Sequence, residues 1–174
     1  ALDTIRLVQE NIYAVDKDPK DLKAREGLML AATLGGLAFS NASICLVHGM
    51  SRPLGSNFKV PHGLSNAMLL PTITEFSIDH AKSRYADCSR AGNFALPDDN
   101  DNKACEKLIK GLFKMNNDFD VPSMKTFGID EKNFEDQLEN MATDAEISGA
   151  PGLNPRVPSV KEMINLYGEA WRAF

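Results

Sequence analysis

The sequence predicts an all-α protein of about seven helices, and three observations lead there. Apolar residues recur at three- and four-residue steps along much of the chain. No stretch alternates apolar and polar residues with the period of two that a half-buried strand needs, and no internal repeat is present. A run free of charged residues, Gly27 to Val47, is long enough to be the central helix of a domain.

The elements follow in order. Leu2, Ile5, Val8, Ile12 and Val15 mark one face of an amphipathic helix over 2–15. Asp18 and Pro19 predict the N-cap and first-turn proline of the next helix, whose opening turns, Asp21 to Glu26, are charged. The uncharged run would span roughly 31 Å as a helix, about the thickness of a bilayer's hydrocarbon core. Its content speaks against a membrane. Thr33, Ser40, Asn41 and Ser43 add polar groups, and neither a basic cluster nor an aromatic belt flanks it. Ala31, Ala32, Gly35, Gly36, Ala38 and Ala42 let neighbouring backbones approach, which predicts a buried core helix.

His48 is expected at the C-terminal end of that helix. A loop containing Pro53 and Gly55 then leads to His62, which follows Pro61 and opens the apolar run Leu64 to Leu70. Two histidines on successive helices converge when the loop between them folds back, and neutral imidazole is the commonest protein ligand for a divalent metal. Taken alone, two histidines in one chain are more often unrelated.

Pro71 is expected to kink or end the helix begun at His62. A further helix runs from Asp79 to Ala91, with Ala81, Tyr85 and Cys88 on one face. His80 beside Asp79 is expected to be exposed, because adjacent helical residues point apart. The acidic segment 97–102 lacks the alternate-position ligands of a calcium loop, and reads as a solvated connection capping a helix from Lys103 to Met115. Residues 116–130 are polar and turn-rich. Asp130 then caps a helix to Ala145 whose stripe is Phe134, Leu138 and Met141. After the loop SGAPGLNPRVP, Ser159 and Glu162 form a capping-box pattern for a last helix bearing Met163, Leu166, Tyr167 and Trp171.

Composition narrows the class. At 174 residues the chain is one domain's worth, with 43% hydrophobic and 25% charged residues, as in ordinary globular proteins. A net charge of −5 gives no electrostatic basis for binding nucleic acid. Cys45, Cys88 and Cys105 show no CxxC spacing and read as the reduced thiols of a cytoplasmic protein. No signal peptide is visible, and the opening ALDTIRL without an initiator Met reads as a cut boundary.

The segments AFSNASICLVHGMS, RPLG, FKVPHG and SNAMLLP, from Phe39-flanking Ala38 to Pro71, resemble the iron-dependent alcohol dehydrogenase family in its C-terminal half. RYAD, the later NPR (Asn154, Pro155, Arg156) and LYGEAW fit the same region. The resemblance implies the helical domain of a dehydroquinate synthase-like fold. It also implies hydride transfer between a small alcohol or aldehyde and NAD or NADP. In that family one divalent metal is held by an aspartate and three histidines, and His48 and His62 match the last two. The metal implied is Fe2+, with Zn2+ as the alternative. Phe39 matches a substrate-pocket position. Arg52 stands where many members carry another histidine, and its fixed charge would suit an anionic group on substrate or cofactor.

The family's Asp-x-x-x-His motif is absent: Ile44, Phe58 and Phe76 lie four residues before His48, His62 and His80. No Gly-rich strand–turn–helix phosphate site occurs either. The resemblance therefore implies that 1–174 is a single helical domain of a longer, homo-oligomeric enzyme, without its N-terminal nucleotide-binding domain and inactive alone. A non-catalytic helical interaction domain with incidental histidines is the competing reading.

Overall fold

The computed structural model describes residues 1–173, and the regular structure among the described residues is all helical, with no strand. Nine α-helices are present among them: α1 Leu2–Lys17, α2 Leu22–Ala42, α3 Leu46–Phe58, α4 His62–Ser77, α5 Lys82–Ala91, α6 Asp101–Asp118, α7 Met124–Phe127, α8 Glu131–Ile147 and α9 Val160–Arg172. Short 3₁₀ turns lie at Ile78–His80 and Ala150–Leu153. The expected seven become nine because the long uncharged run is two helices, and because α7 is a single turn capped by Ser123 inside the polar stretch. The chain forms two compact units, one from Ala1–Ser43 with Ala81–Lys110, the other from Ile44–His80 with the segment beginning at Gly111.

In the first unit α1 packs along α2. Gly27 allows this contact, since a Cβ there would fall 2.5 Å from Asn11 Nδ2. The cap of α2 is Asp21, which accepts from Ala24 N at 3.0 Å, while Asp18 instead takes the Lys20 N–H. This corrects the expected Asp18–Pro19 start. The larger correction concerns α2 itself. Only Ala24 and Ala31 are buried on it, and Met29 and Leu37 are 70% and 57% exposed. Apolar composition shows that a surface is better out of water; it does not show what covers it. The helix ends at Ala42, and Ser43 takes φ 62°, ψ −170°, a region almost reserved for glycine. No glycine or proline marks that break in the sequence.

The acidic segment before α6 is also not simply solvated. The Asp99 carboxylate is 2% exposed and pairs with Lys103 at 2.7 Å and Lys107 at 2.5 Å, and it accepts from Leu96 N at 2.9 Å. Arg90 closes the same corner, donating to the Asp99 carbonyl at 2.9 Å and to Asp101 at 2.6 Å.

The second unit has the larger core. Leu46, Met50 and Leu54 of α3 meet Met68, Leu69 and Ile73 of α4, with Phe134 and Met141 of α8 and Met163 and Tyr167 of α9. The stripes read on α8 and α9 are therefore the core-facing ones, and Phe134 stacks on Trp171 with centroids 4.4 Å apart. The capping box at Ser159 and Glu162 is present, as is the Asp130 cap. Pro71 neither ends nor breaks α4. A helical proline leaves the carbonyl four residues earlier without its N–H partner. Here that carbonyl belongs to Ala67, and Asn116 Nδ2 donates to it at 2.8 Å. The NPR segment is structural as well. Asn154 donates to Ser77 Oγ at 2.8 Å, and Arg156 lies 3.9 Å over the Phe76 ring while pairing with Glu162 at 2.7 Å.

Candidate metal centre

The site is built on the first turns of α3 and α4. His48 is the third residue of α3, not the last of a long helix as the sequence reading had it. Its neighbours Leu46 and Met50 are fully buried, which fixes the turn in the core. Gly49 next to it is needed for close approach: a Cβ there would lie 3.0 Å from Pro151 Cδ and 3.3 Å from Ala150 Cβ. The 3₁₀ turn at Ala150–Leu153 thus backs the His48 turn.

His62 is the first residue of α4, after Pro61, and is exposed. Its carbonyl accepts from Ser65 Oγ at 2.9 Å and from Asn66 Nδ2 at 2.8 Å. What joins the two histidines is α3 itself, thirteen residues of helix where a loop was expected. Pro53 and Gly55 sit within this helix, so the loop signal they gave was misleading. A helix of this length carries the chain about 20 Å, and the return through Lys59–Pro61 brings α4 back along α3.

The outcome is that the two imidazoles stand with centroids 5.2 Å apart and planes tilted by 52°. The pKa of His48 is lowered, first by its partial burial, then by His62, then by the charge of Arg52. The shift favours the neutral ring, the form that donates to a metal. Arg52 is exposed and lies one turn beyond His48 on α3, so it is helical and not part of a loop. Phe39 is 54% exposed near the end of α2, in the first unit. The structure brings His48, His62 and Arg52 together within the second unit.

Two imidazole donors at this separation fit a cation that takes nitrogen ligands at about 2.0–2.1 Å. Among the described residues no cluster of three or more His, Cys, Asp or Glu side chains is assembled. The pair supplies two donors. Asn66, which the sequence reading did not single out, lies against the His62 ring: its Nδ2 is 3.3 Å from both Nδ1 and Nε2. The available signal was its position four residues after His62 on a helix.

The C-terminal model of the Fe-containing alcohol dehydrogenase family matches residues 1–171 of this chain. Alcohol dehydrogenase 4 of Saccharomyces cerevisiae is 36% identical over 146 residues, covering 83% of this chain and 37% of that protein. Lactaldehyde reductase of Escherichia coli is 29% identical over 172 residues, covering 98% of this chain and 43% of the reductase. Among solved structures, a 1,3-propanediol oxidoreductase superposes with a TM-score of 0.90 at 28% identity, over 97% of this chain and 44% of its own. An iron-containing alcohol dehydrogenase from Thermococcus thioreducens gives 0.86 at 31% identity, over 99% and 43%. The chain spans about two-fifths of the length of such relatives. No single helix among the described residues is long and apolar enough to cross a membrane.

Proposed function

The chain belongs to the iron-containing alcohol dehydrogenase family, as its C-terminal helical part, and we propose that it supplies two of the metal ligands, His48 and His62, of an enzyme that moves a hydride between an alcohol or aldehyde and NAD(P). The observation that carries this reading is the 5.2 Å approach of the two rings within the family match. When bound, a divalent cation (Fe2+ by the family's name, or Zn2+) supplies Lewis acidity toward the substrate oxygen, and the nicotinamide carries the hydride itself.

The residues of this chain then do three things. His48 and His62 hold the cation as neutral nitrogen donors and do not move protons. Arg52 keeps a permanent positive charge one turn from His48, which favours an anionic group on whatever binds there. Phe39 offers an aromatic side chain to a substrate pocket completed by residues outside these. The remaining metal donors and the nucleotide site are assigned to the part of the relatives' length that this chain does not span. Residues 1–174 act in this reading as one helical domain, without dehydrogenase turnover on its own.

The test is metal content and turnover in a chain of the relatives' full length carrying these residues. His48→Ala and His62→Ala are each expected to lose metal and activity while keeping the helical circular dichroism of the parent. Retention of stoichiometric metal in both variants would overturn the reading and favour incidental histidines.

A further inference from the structure

We propose that the uncovered face of α2 is the docking surface for a helix in the segment that precedes Ala1 in a chain of the relatives' full length. This rests on the reading of residues 1–174 as one domain of a longer enzyme.

Leu22, Met29, Leu30 and Leu37 are 80%, 70%, 50% and 57% exposed. They fall at seven-residue steps, Leu22 to Met29 and Leu30 to Leu37, the spacing with which one helix meets another along its length. The far side of α2 is already taken: α1 packs there, where Ala24 and Ala31 are buried. A helix apolar on both sides belongs in a core with a neighbour on each. One of the two neighbours is in place.

The polar residues on the uncovered side fit burial as well. Thr33 Oγ1 donates to the Met29 carbonyl at 3.1 Å, Ser40 Oγ to that of Gly36 at 2.9 Å, and Asn41 Nδ2 to that of Leu37 at 2.7 Å. Each side chain is folded back onto its own helix, so its donor stays satisfied when water is removed. No charged residue occurs from Gly27 to Val47, whereas a helix face turned to water carries charges.

The occupant follows from what the chain does not span and where that part would join. The match is to the family's C-terminal model, and the chain covers between 37% and 44% of the relatives above, so more than half of a relative's length lies ahead of the matched region. Within this chain α1 runs antiparallel to α2, with Asn11 against Gly27 and Thr4 beside Gly35. Ala1 lies about one turn beyond Thr4, level with Leu37 and Phe39. A chain leading into Ala1 therefore arrives at one end of the uncovered stripe. A helix is roughly 10 Å across, and about three to five extended residues carry a chain around it. A short connection thus lets the preceding helix lie along the stripe from Leu37 to Leu22.

The experiment is hydrogen peroxide oxidation of the longer chain, read methionine by methionine by mass spectrometry, with metal content measured on the same sample. Met50, Met68 and Met141, all 0% exposed, are the buried standards, and added free methionine is the exposed one. Met29 is expected to oxidise as slowly as the buried three, about tenfold or more below free methionine. Oxidation of Met29 at close to the free rate in a metal-loaded chain would overturn the docking proposal and leave the metal centre standing. A chain without metal would fail the metal reading, and the Met29 rate would still decide this one. Leu37→Glu is expected to lower the unfolding midpoint of the longer chain and to speed Met29 oxidation, with the oligomeric state by sedimentation unchanged. An unchanged midpoint would overturn the proposal. So would dissociation of Leu37→Glu into protomers, which would assign the face to a second copy.

Discussion

Tyr167 Oη donates to the main-chain carbonyl of Met50 at 2.6 Å, joining α9 to α3 across 117 positions of sequence. Met50 lies two residues after His48 and two before Arg52, so this bond ties the site-bearing turn to the C-terminal helix. The phenol is fully buried, and burial pushes its pKa far above the usual range, with Asp144 adding to the rise. It is a donor at every working pH.

Tyr167→Phe keeps the ring and removes the hydrogen bond, and is expected to cost about 0.5–1.5 kcal/mol of stability. Its pH signature follows from linkage. A group whose pKa is raised by folding contributes stability that is complete below its unfolded value, near 10, and is lost as pH rises further. Equilibrium denaturation at pH 7 and pH 11 should show the parent losing more over that interval than Tyr167→Phe.

Asp99 gives the opposite sign in the first unit. Lys103, Lys107 and the Leu96 N–H hold its carboxyl well below the usual carboxylate range. A carboxylate lowered by folding contributes stability above its unfolded pKa, near 3.9, and loses it as pH falls toward the folded value. Asp99→Asn is expected to lower the melting temperature at pH 7, with the gap to the parent narrowing below about pH 4. Melting curves at pH 7 and pH 3 check both halves. A constant gap would show that the carboxylate's charge is not what matters.

Arg52→Ala is expected to raise the His48 pKa toward its ordinary value without restoring it, because burial is the larger cause and remains. A histidine lowered by folding stabilises the fold above its unfolded pKa, about 6.5, and that contribution fades as pH falls. Arg52→Ala should therefore be less acid-sensitive than the parent between about pH 6.5 and 5. Nuclear magnetic resonance titration of His48 in the metal-free protein measures the shift directly. On the proposed function, the same variant should change preference between neutral and carboxylate-bearing aldehydes by roughly 10–150-fold, from a charge-assisted contact of about 1.5–3 kcal/mol.

The sequence by itself determined the all-α class, because helical periodicity and the caps at Asp130 and Ser159 are local properties, written within a few residues of where they act. It also determined His48 and His62 as a pair worth testing, through the motifs around them. Tertiary structure decided the rest. Pro53 and Gly55 suggested a loop, yet packing of Leu46, Met50 and Leu54 holds that segment helical. Pro71 suggested a stop, yet Asn116, distant in sequence, supplies the donor that lets α4 continue. The acidic run before α6 read as solvated, but Lys103 and Lys107 bring Asp99 inside. The uncharged run read as core, while α2 leaves most of its apolar surface uncovered. In the first three cases the deciding partner is supplied by the folded chain around the residue, and in the last the partner is missing; a local pattern records a residue's preference but not the partner that satisfies it.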